Sequence, residues 1–194
     1  MMKKIVLVFL FVFLIVSISL AKKIYINGIP IDEDKVSEYE EHIRYRAIAD
    51  MVFESSKVAS MKYYEIVLEK FPEDFVSLAR MSLIYSLRGI PELSLYYGTN
   101  ALKVYKKSDK KNIYTLNYIE LLTSLSVSYS LLNNEVMSYE NLQEAISNLS
   151  KLILFKSDYS KAKQLVDYAN SVYRKQFYRI SVITNTNKQV RTKY

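Results

Sequence analysis

Glu38 and His42 lie four residues apart, the spacing at which two side chains on one helix face can share a metal ion. Asp32, Glu33 and Asp34 just before them could add carboxylate ligands. A charged first helical turn followed by a solvated Glu/His face accounts for the same letters without a metal. The chain holds one histidine and no cysteine, which excludes a paired-imidazole or thiolate zinc site, a thiol nucleophile and a disulfide framework. Three glycines leave no glycine-rich loop for phosphate, and a lone histidine has no oxyanion cradle or second base beside it. Every Asp and Glu falls on a predicted polar helix face, so paired-carboxylate glycan chemistry is not expected. These residues predict no enzyme, cofactor or metal site.

Charge and aromatic content carry more. Lys22 to Asn100 contain 10 basic and 13 acidic residues, whereas Ala101 to Tyr194 contain 15 basic and 7 acidic. Lys103, Lys106, Lys107, Lys110 and Lys111 form a basic patch suited to an acidic protein, an anionic lipid or an envelope polymer. A solvated loop explains them equally well. The 18 tyrosines invite ligand stacking, but Tyr64, Tyr85 and Tyr129 fall where helices would pack, and Tyr105 and Tyr114 sit beside the lysines. Asn148-Leu149-Ser150 is a single glycosylation sequon of little weight without a known host.

The positioning elements follow from periodicity. Lys3 and Lys4, the twelve apolar residues Ile5 to Val16 and the small Ser19 and Ala21 have the layout of a signal peptide over residues 1–21, or alternatively of a retained membrane anchor. Either predicts export to a periplasmic or extracellular space, with membrane contact only through this segment if it is uncleaved. Residues 22–34 read as a short extended or hairpin piece around Asn27-Gly28, with Pro30 confining it to an edge. Residues 35–178 read as seven helices. The first carries Val36, Tyr39, Ile43, Ala47 and Met51 at three- and four-residue spacing, and the second spans about Ser56–Phe71 before Pro72. Asp74 caps the third, Gly89 ends it, and Pro91 opens the fourth, which runs to about Tyr105. The fifth opens at Ser108 or Asp109 and breaks at Asn133-Asn134; the sixth covers about Ser138–Phe155 and the seventh Tyr159–Tyr178. Residues 179–194 read as a basic polar tail.

The helix pairs keep a period. Met51 and Tyr85, Ser60 and Ser94, Tyr63 and Tyr97, Val67 and Ala101, Leu68 and Leu102 are each 34 residues apart. Tyr63 to Asp74, with Pro72 at its end, resembles the second helix of the tetratricopeptide repeat family, and Met81, Ser82, Tyr85, Gly89, Ser94, Ala101 and Leu102 resemble the next repeat. Leu125, Ser126, Tyr129, Asn133, Ser138, Leu142 and Ala145 resemble a third, about ten residues late. The chain departs from the family at Gly98, where a large aromatic is usual, and at Lys106, which replaces the proline. The resemblance covers about Glu41 to Ser150. It implies an all-α, right-handed α-α superhelix of about three helix pairs, closed by the seventh helix as a cap.

It also implies a non-catalytic interaction module, an envelope adaptor or scaffold that holds a segment of an unidentified protein partner. The family lines its concave groove with the first helix of each pair, which here points to Tyr45, Phe53, Leu83, Leu87, Val127 and Leu131. Two alternatives remain. One is a periplasmic holdase, because Ile26 to Ile31 and the acidic helix start resemble the entry segment of secreted peptidyl-prolyl isomerase chaperones. The other is a basic surface protein that binds an anionic envelope polymer or lipid. Nucleic acid is not an expected partner.

Overall fold

The computed structural model describes residues 23–26, 29–32, 35–109 and 114–191, with side chains from 35 to 109 and from 114 to 178. The expected signal segment, Lys110 and Lys111 lie outside these. The chain divides into two compact units, residues 1–44 and 45–194. The first holds an antiparallel hairpin, β1 (Lys23–Ile26) against β2 (Ile29–Asp32), with Ile24 opposite Ile31 and Ile26 opposite Ile29. Helix α1 (Val36–Phe53) begins in the first unit and ends in the second.

The second unit is helical: α2 (Lys57–Lys70), α3 (Phe75–Leu87), α4 (Pro91–Lys107), α5 (Thr115–Leu131), α6 (Glu135–Leu149) and α7 (Lys156–Arg191), with a 3₁₀ turn at Ser150–Leu152. Side chains with local acceptors start these helices. Ser56 Oγ accepts from the Ala59 amide at 3.2 Å, Asp74 Oδ1 from Ser77 at 2.8 Å and Asn134 Oδ1 from Met137 at 3.1 Å. Pro91 opens α4, where its missing amide leaves no bond unmade. Gly89 and Asn133 end α3 and α5 in the left-handed region, at φ +70° and +59°. There the chain reverses through Ile90 N–H to Tyr85 O at 3.0 Å and Asn134 N–H to Tyr129 O at 2.9 Å.

Three boundaries differ from expectation by six residues or more. Helix α5 begins at Thr115 rather than at Ser108 or Asp109; Ser108 is extended and ends α4, its amide turning back to Tyr105 O at 3.1 Å. Helix α6 stops at Leu149, and the apolar letters Ile153 to Phe155 that prolonged its period are exposed in a turn. Helix α7 continues to Arg191 through the stretch read as a tail. No glycine follows Gly98 and no proline follows Pro91, so nothing in the backbone chemistry stops it.

The order of packing is regular. Helix α3 packs on α4 and α5, α4 on α5, and α5 on α6 and α7, while α7 meets α5 and α6 as α5 meets α3 and α4. The hairpins α3–α4 and α5–α6 share one internal clasp. Ser94 Oγ donates to Ser82 O at 2.9 Å, and Ser138 Oγ donates to Ser126 O at 2.9 Å, two pairs related by a shift of 44 residues. Gly89 and Asn133, and Tyr85 and Tyr129, keep that same shift. Tyrosines fill the gaps between helices: the rings of Tyr85 and Tyr97 stack at 5.5 Å, those of Tyr105 and Tyr118 at 3.9 Å, and Tyr114 lies 5.0 Å from Phe75.

Gly98 sits at a close helix crossing. A Cβ placed there would sit 2.6 Å from Leu125 Cδ2 and 2.8 Å from Ser82 Oγ, so α4 reaches α3 and α5 only because that atom is missing. Alanine inside a helix ordinarily stabilises by about 1 kcal/mol over glycine. At this position the overpacking of about 1–3 kcal/mol outweighs that gain, so Gly98→Ala lowers the urea midpoint and a bulkier Gly98→Leu lowers it further. A raised midpoint in Gly98→Ala would show that Leu125 yields without cost.

Candidate functional site

Phe53, Leu83 and Val127, expected along an open groove, are buried core residues. Phe53 and Leu83 pack with Ala49, Met61, Tyr64, Met81 and Ile84; Val127 packs with Ala162, Val166 and Ala169 of α7. For Leu83 and Val127 the physical cause is α7, whose Leu165 and Tyr168 meet them and whose Ala162, Val166 and Ala169 pack with Val127; Phe53 is covered by Arg80 and its own core cluster. Leu83, Leu87 and Val127 meet Leu165 and Tyr168 around a gap too small for a water molecule. Tyr45 is half-buried and stacks on Tyr63 at 6.3 Å, and only Leu131 stays well exposed. The six residues do not line one open surface.

A charged pair, Arg80 and Glu120, lies buried between α3 and α5, with the more exposed Asp50 at its edge. Arg80 Nη1 donates to Glu120 Oε1 at 2.9 Å, and the guanidinium sits 4.3 Å above the Phe53 ring. Asn117 Nδ2 reaches Glu120 Oε2 at 3.3 Å. Asp50 Oδ1 accepts from Tyr64 OH at 2.6 Å and lies 3.8 Å from Arg80 Nε. Burial pushes the Glu120 carboxyl up to about 7, against the opposing pull of Arg80 and Asn117. Such a group suits proton transfer, but Glu120 is 2% exposed, so no substrate reaches it. Its burial corrects the expectation that every carboxylate lies on a polar face. His42 is likewise buried, beside Tyr39, rather than on an exposed face, and among the described residues no three His, Asp or Glu side chains group to hold a metal. Asn148 of the sequon is buried between bonds to Glu144 O and Lys151.

The accessible site lies on the other side of the helix pairs. A cleft of about 600 Å³ runs between α2 and α4 over Leu78 of α3. Glu65, Glu69 and Glu73, four residues apart, form one wall; Lys103 and Lys107, also four apart, form the other with Asn100. Leu68, Pro72, Val104, Tyr96 and Tyr97 supply apolar surface between them. Tyr97 stacks on Tyr85 and meets Tyr96 edge-on at 5.2 Å, and burial, then the neighbouring Tyr85 and Glu65, hold its phenol neutral by raising its pKa. Lys107 Nζ and Glu73 Oε1 face each other at 3.9 Å across the lip. Lys103 and Lys107 of the expected basic patch therefore reach the cleft, while Lys106 is exposed outside it. The arrangement holds no nucleophile beside a base. It can seat an apolar group between a cationic and an anionic edge.

The glutamate wall was missed in the sequence because its three letters look like an ordinary solvated face. The available signal was the matching four-residue spacing of Glu65, Glu69, Glu73 and of Lys103, Lys107. The described chain is thus an all-helical protein apart from its hairpin, and no helix among the described residues is long and apolar enough to cross a membrane. No family model, no curated protein and no solved structure matches it.

Glu120 gives a pH dependence whose sign follows from its raised value. Between its ordinary 4.5 and about 7 the folded chain keeps a proton that the unfolded chain has lost, so stability falls as pH rises through that window and levels off above it. The full loss is of order 3 kcal/mol. Glu120→Gln keeps a partner for Arg80 and flattens this dependence, whereas Glu120→Ala flattens it too but removes that partner, and its cost relative to the parent is greatest at the acid end of the window and shrinks as pH rises. Chemical denaturation across pH reads both; identical profiles for the parent and Glu120→Gln would show that this carboxyl does not titrate there.

Proposed function

We propose that the chain is an exported, non-catalytic interaction module of tetratricopeptide-like build, a right-handed superhelix of about three helix pairs capped by α7. It holds an amphipathic segment of a protein partner in the α2–α4 cleft. The 34-residue letter period and the clasp and turn that recur after 44 residues support the repeat reading, 44 being the family period plus the ten added residues. The position of α7 against α5 and α6 supports its role as the cap.

The cleft with walls of opposite sign carries the functional reading. An apolar anchor would enter between Leu68, Val104 and Tyr97, with a basic edge toward Glu65, Glu69 and Glu73 and an acidic edge toward Lys103 and Lys107. The acid wall also weighs against a polyanion as ligand, since it cancels part of the lysine field. Envelope adaptor or scaffold remains the role that fits such a one-segment site, ahead of a holdase, which needs a broader apolar surface.

Capture from an envelope fraction tests this with three baits: the parent protein, Lys103→Glu/Lys107→Glu, and Lys106→Glu as an off-cleft control. One stoichiometric partner retained by the parent and by Lys106→Glu, but bound about tenfold or more weakly by the double variant, is the expected outcome. Equal retention by all three removes the cleft from the function, and many unrelated partners with no charge dependence would favour the holdase.

A further inference from the structure

Leu154 is 90% exposed, and its neighbours Ile153 and Phe155 are 62% and 60% exposed, three consecutive large apolar side chains held out in solvent. They are presented by a fixed turn. Leu152 is buried in the core beside α7, Phe155 N–H bonds back to Leu152 O at 2.8 Å, and Tyr159 N–H bonds to Phe155 O at 2.9 Å. Lys151 and Lys156 bracket the three residues, both exposed, with Lys151 Nζ resting on Asn148 Oδ1 at 2.6 Å. No carboxylate occurs in the sequence from Ala145 to Ser157. The nearest acids along the chain are Glu144, which accepts from Tyr118 OH, and Asp158 in the first turn of α7.

We infer that Ile153, Leu154 and Phe155 form a membrane-docking tip that enters the headgroup region of an anionic bilayer, with Lys151 and Lys156 against the lipid phosphates. Apolar residues that insert about 5–10 Å beside basic residues that remain at the surface are the chemistry of interfacial binding. A tip three residues wide presents much less than the roughly 800 Å² per side of a specific protein interface, so a bilayer suits it better than a folded partner. The tip shares no residue with the α2–α4 cleft, so the two proposals fail independently.

The chain contains no tryptophan, which makes Leu154→Trp a site-specific probe in the full-length protein. Its emission should shift to shorter wavelength on phosphatidylcholine vesicles containing phosphatidylglycerol, should be quenched by lipids brominated along the acyl chains, and should stay unshifted on phosphatidylcholine alone. Adding Lys151→Gln and Lys156→Gln should raise the lipid needed for half the shift about 25-fold, at about fivefold for each lysine lost near an anionic surface. The substituted side chains are all exposed, and an unchanged thermal midpoint confirms folding. No shift on anionic vesicles, or an equal shift on both compositions, overturns the inference. A lipid-free shift that grows with protein concentration overturns it in favour of a second copy of the chain.

Discussion

The close approach of α3, α4 and α5 at Gly98 sets the spacing that the rest of the second unit follows. At that crossing Ser82, Ser94, Ser124 and Gly98 leave almost no side-chain volume between backbones, and Ser82 Oγ lies 2.7 Å from Ser124 Oγ. Small residues at a helix crossing would ordinarily bury unpaired hydroxyls. Here each hydroxyl bonds within its helix or across the clasp: Ser124 Oγ to Leu121 O, Ser86 Oγ to Leu83 O, Ser128 Oγ to Ser124 O and Thr123 Oγ1 to Ile119 O. The hydroxyls at this crossing are bonded, although Ser77 Oγ at the start of α3 is buried without a partner; Leu125 packs in one core cluster and Ile84 and Met81 in another.

That separation decides which face stays open. With α3 and α5 drawn together, Arg80 reaches Glu120, and α7 closes over Leu83 and Val127. Buried ion pairs of this kind rarely add net stability over an apolar pair of the same shape, but they penalise every register in which one partner is left alone. Arg80 and Glu120 thus restrict how α3 and α5 slide. The inner face is consumed by folding, and the accessible chemistry passes to the outer cleft between α2 and α4.

Much of the fold was legible because its punctuation is chemical. Asp74, Pro91, Gly89 and Asn133 mark helix ends through capping, a missing amide and left-handed backbone, and all four do so in the structure. Gly98 was not legible, since only the three-dimensional neighbours Leu125 and Ser82 give its absent Cβ a meaning. The serines of α5 mislead in the same way: Ser124, Ser126, Ser128 and Ser130 are polar letters with buried positions. The expected groove residues failed for a tertiary reason. Helical spacing places Leu83, Leu87 and Val127 on one side of their helices, but it does not say that α7, read as ending at Tyr178, lies across them.

The outer cleft has a property that the buried cluster lacks. Its lip pair, Lys107 and Glu73, is 76% and 77% exposed at 3.9 Å, so water already solvates both ends and the pair contributes at most about 1 kcal/mol. Opening it for a ligand costs little, and both charges then remain free to select the ligand's edges. Arg80 and Glu120 sit at the opposite limit: once Glu120 ionises, separation would leave two desolvated charges in a low-dielectric interior. The same two residue classes therefore serve opposite ends in one molecule. Buried, they hold two helices in register; exposed on either side of an apolar floor, they leave a surface that can discriminate between partners by the sign and order of their charges.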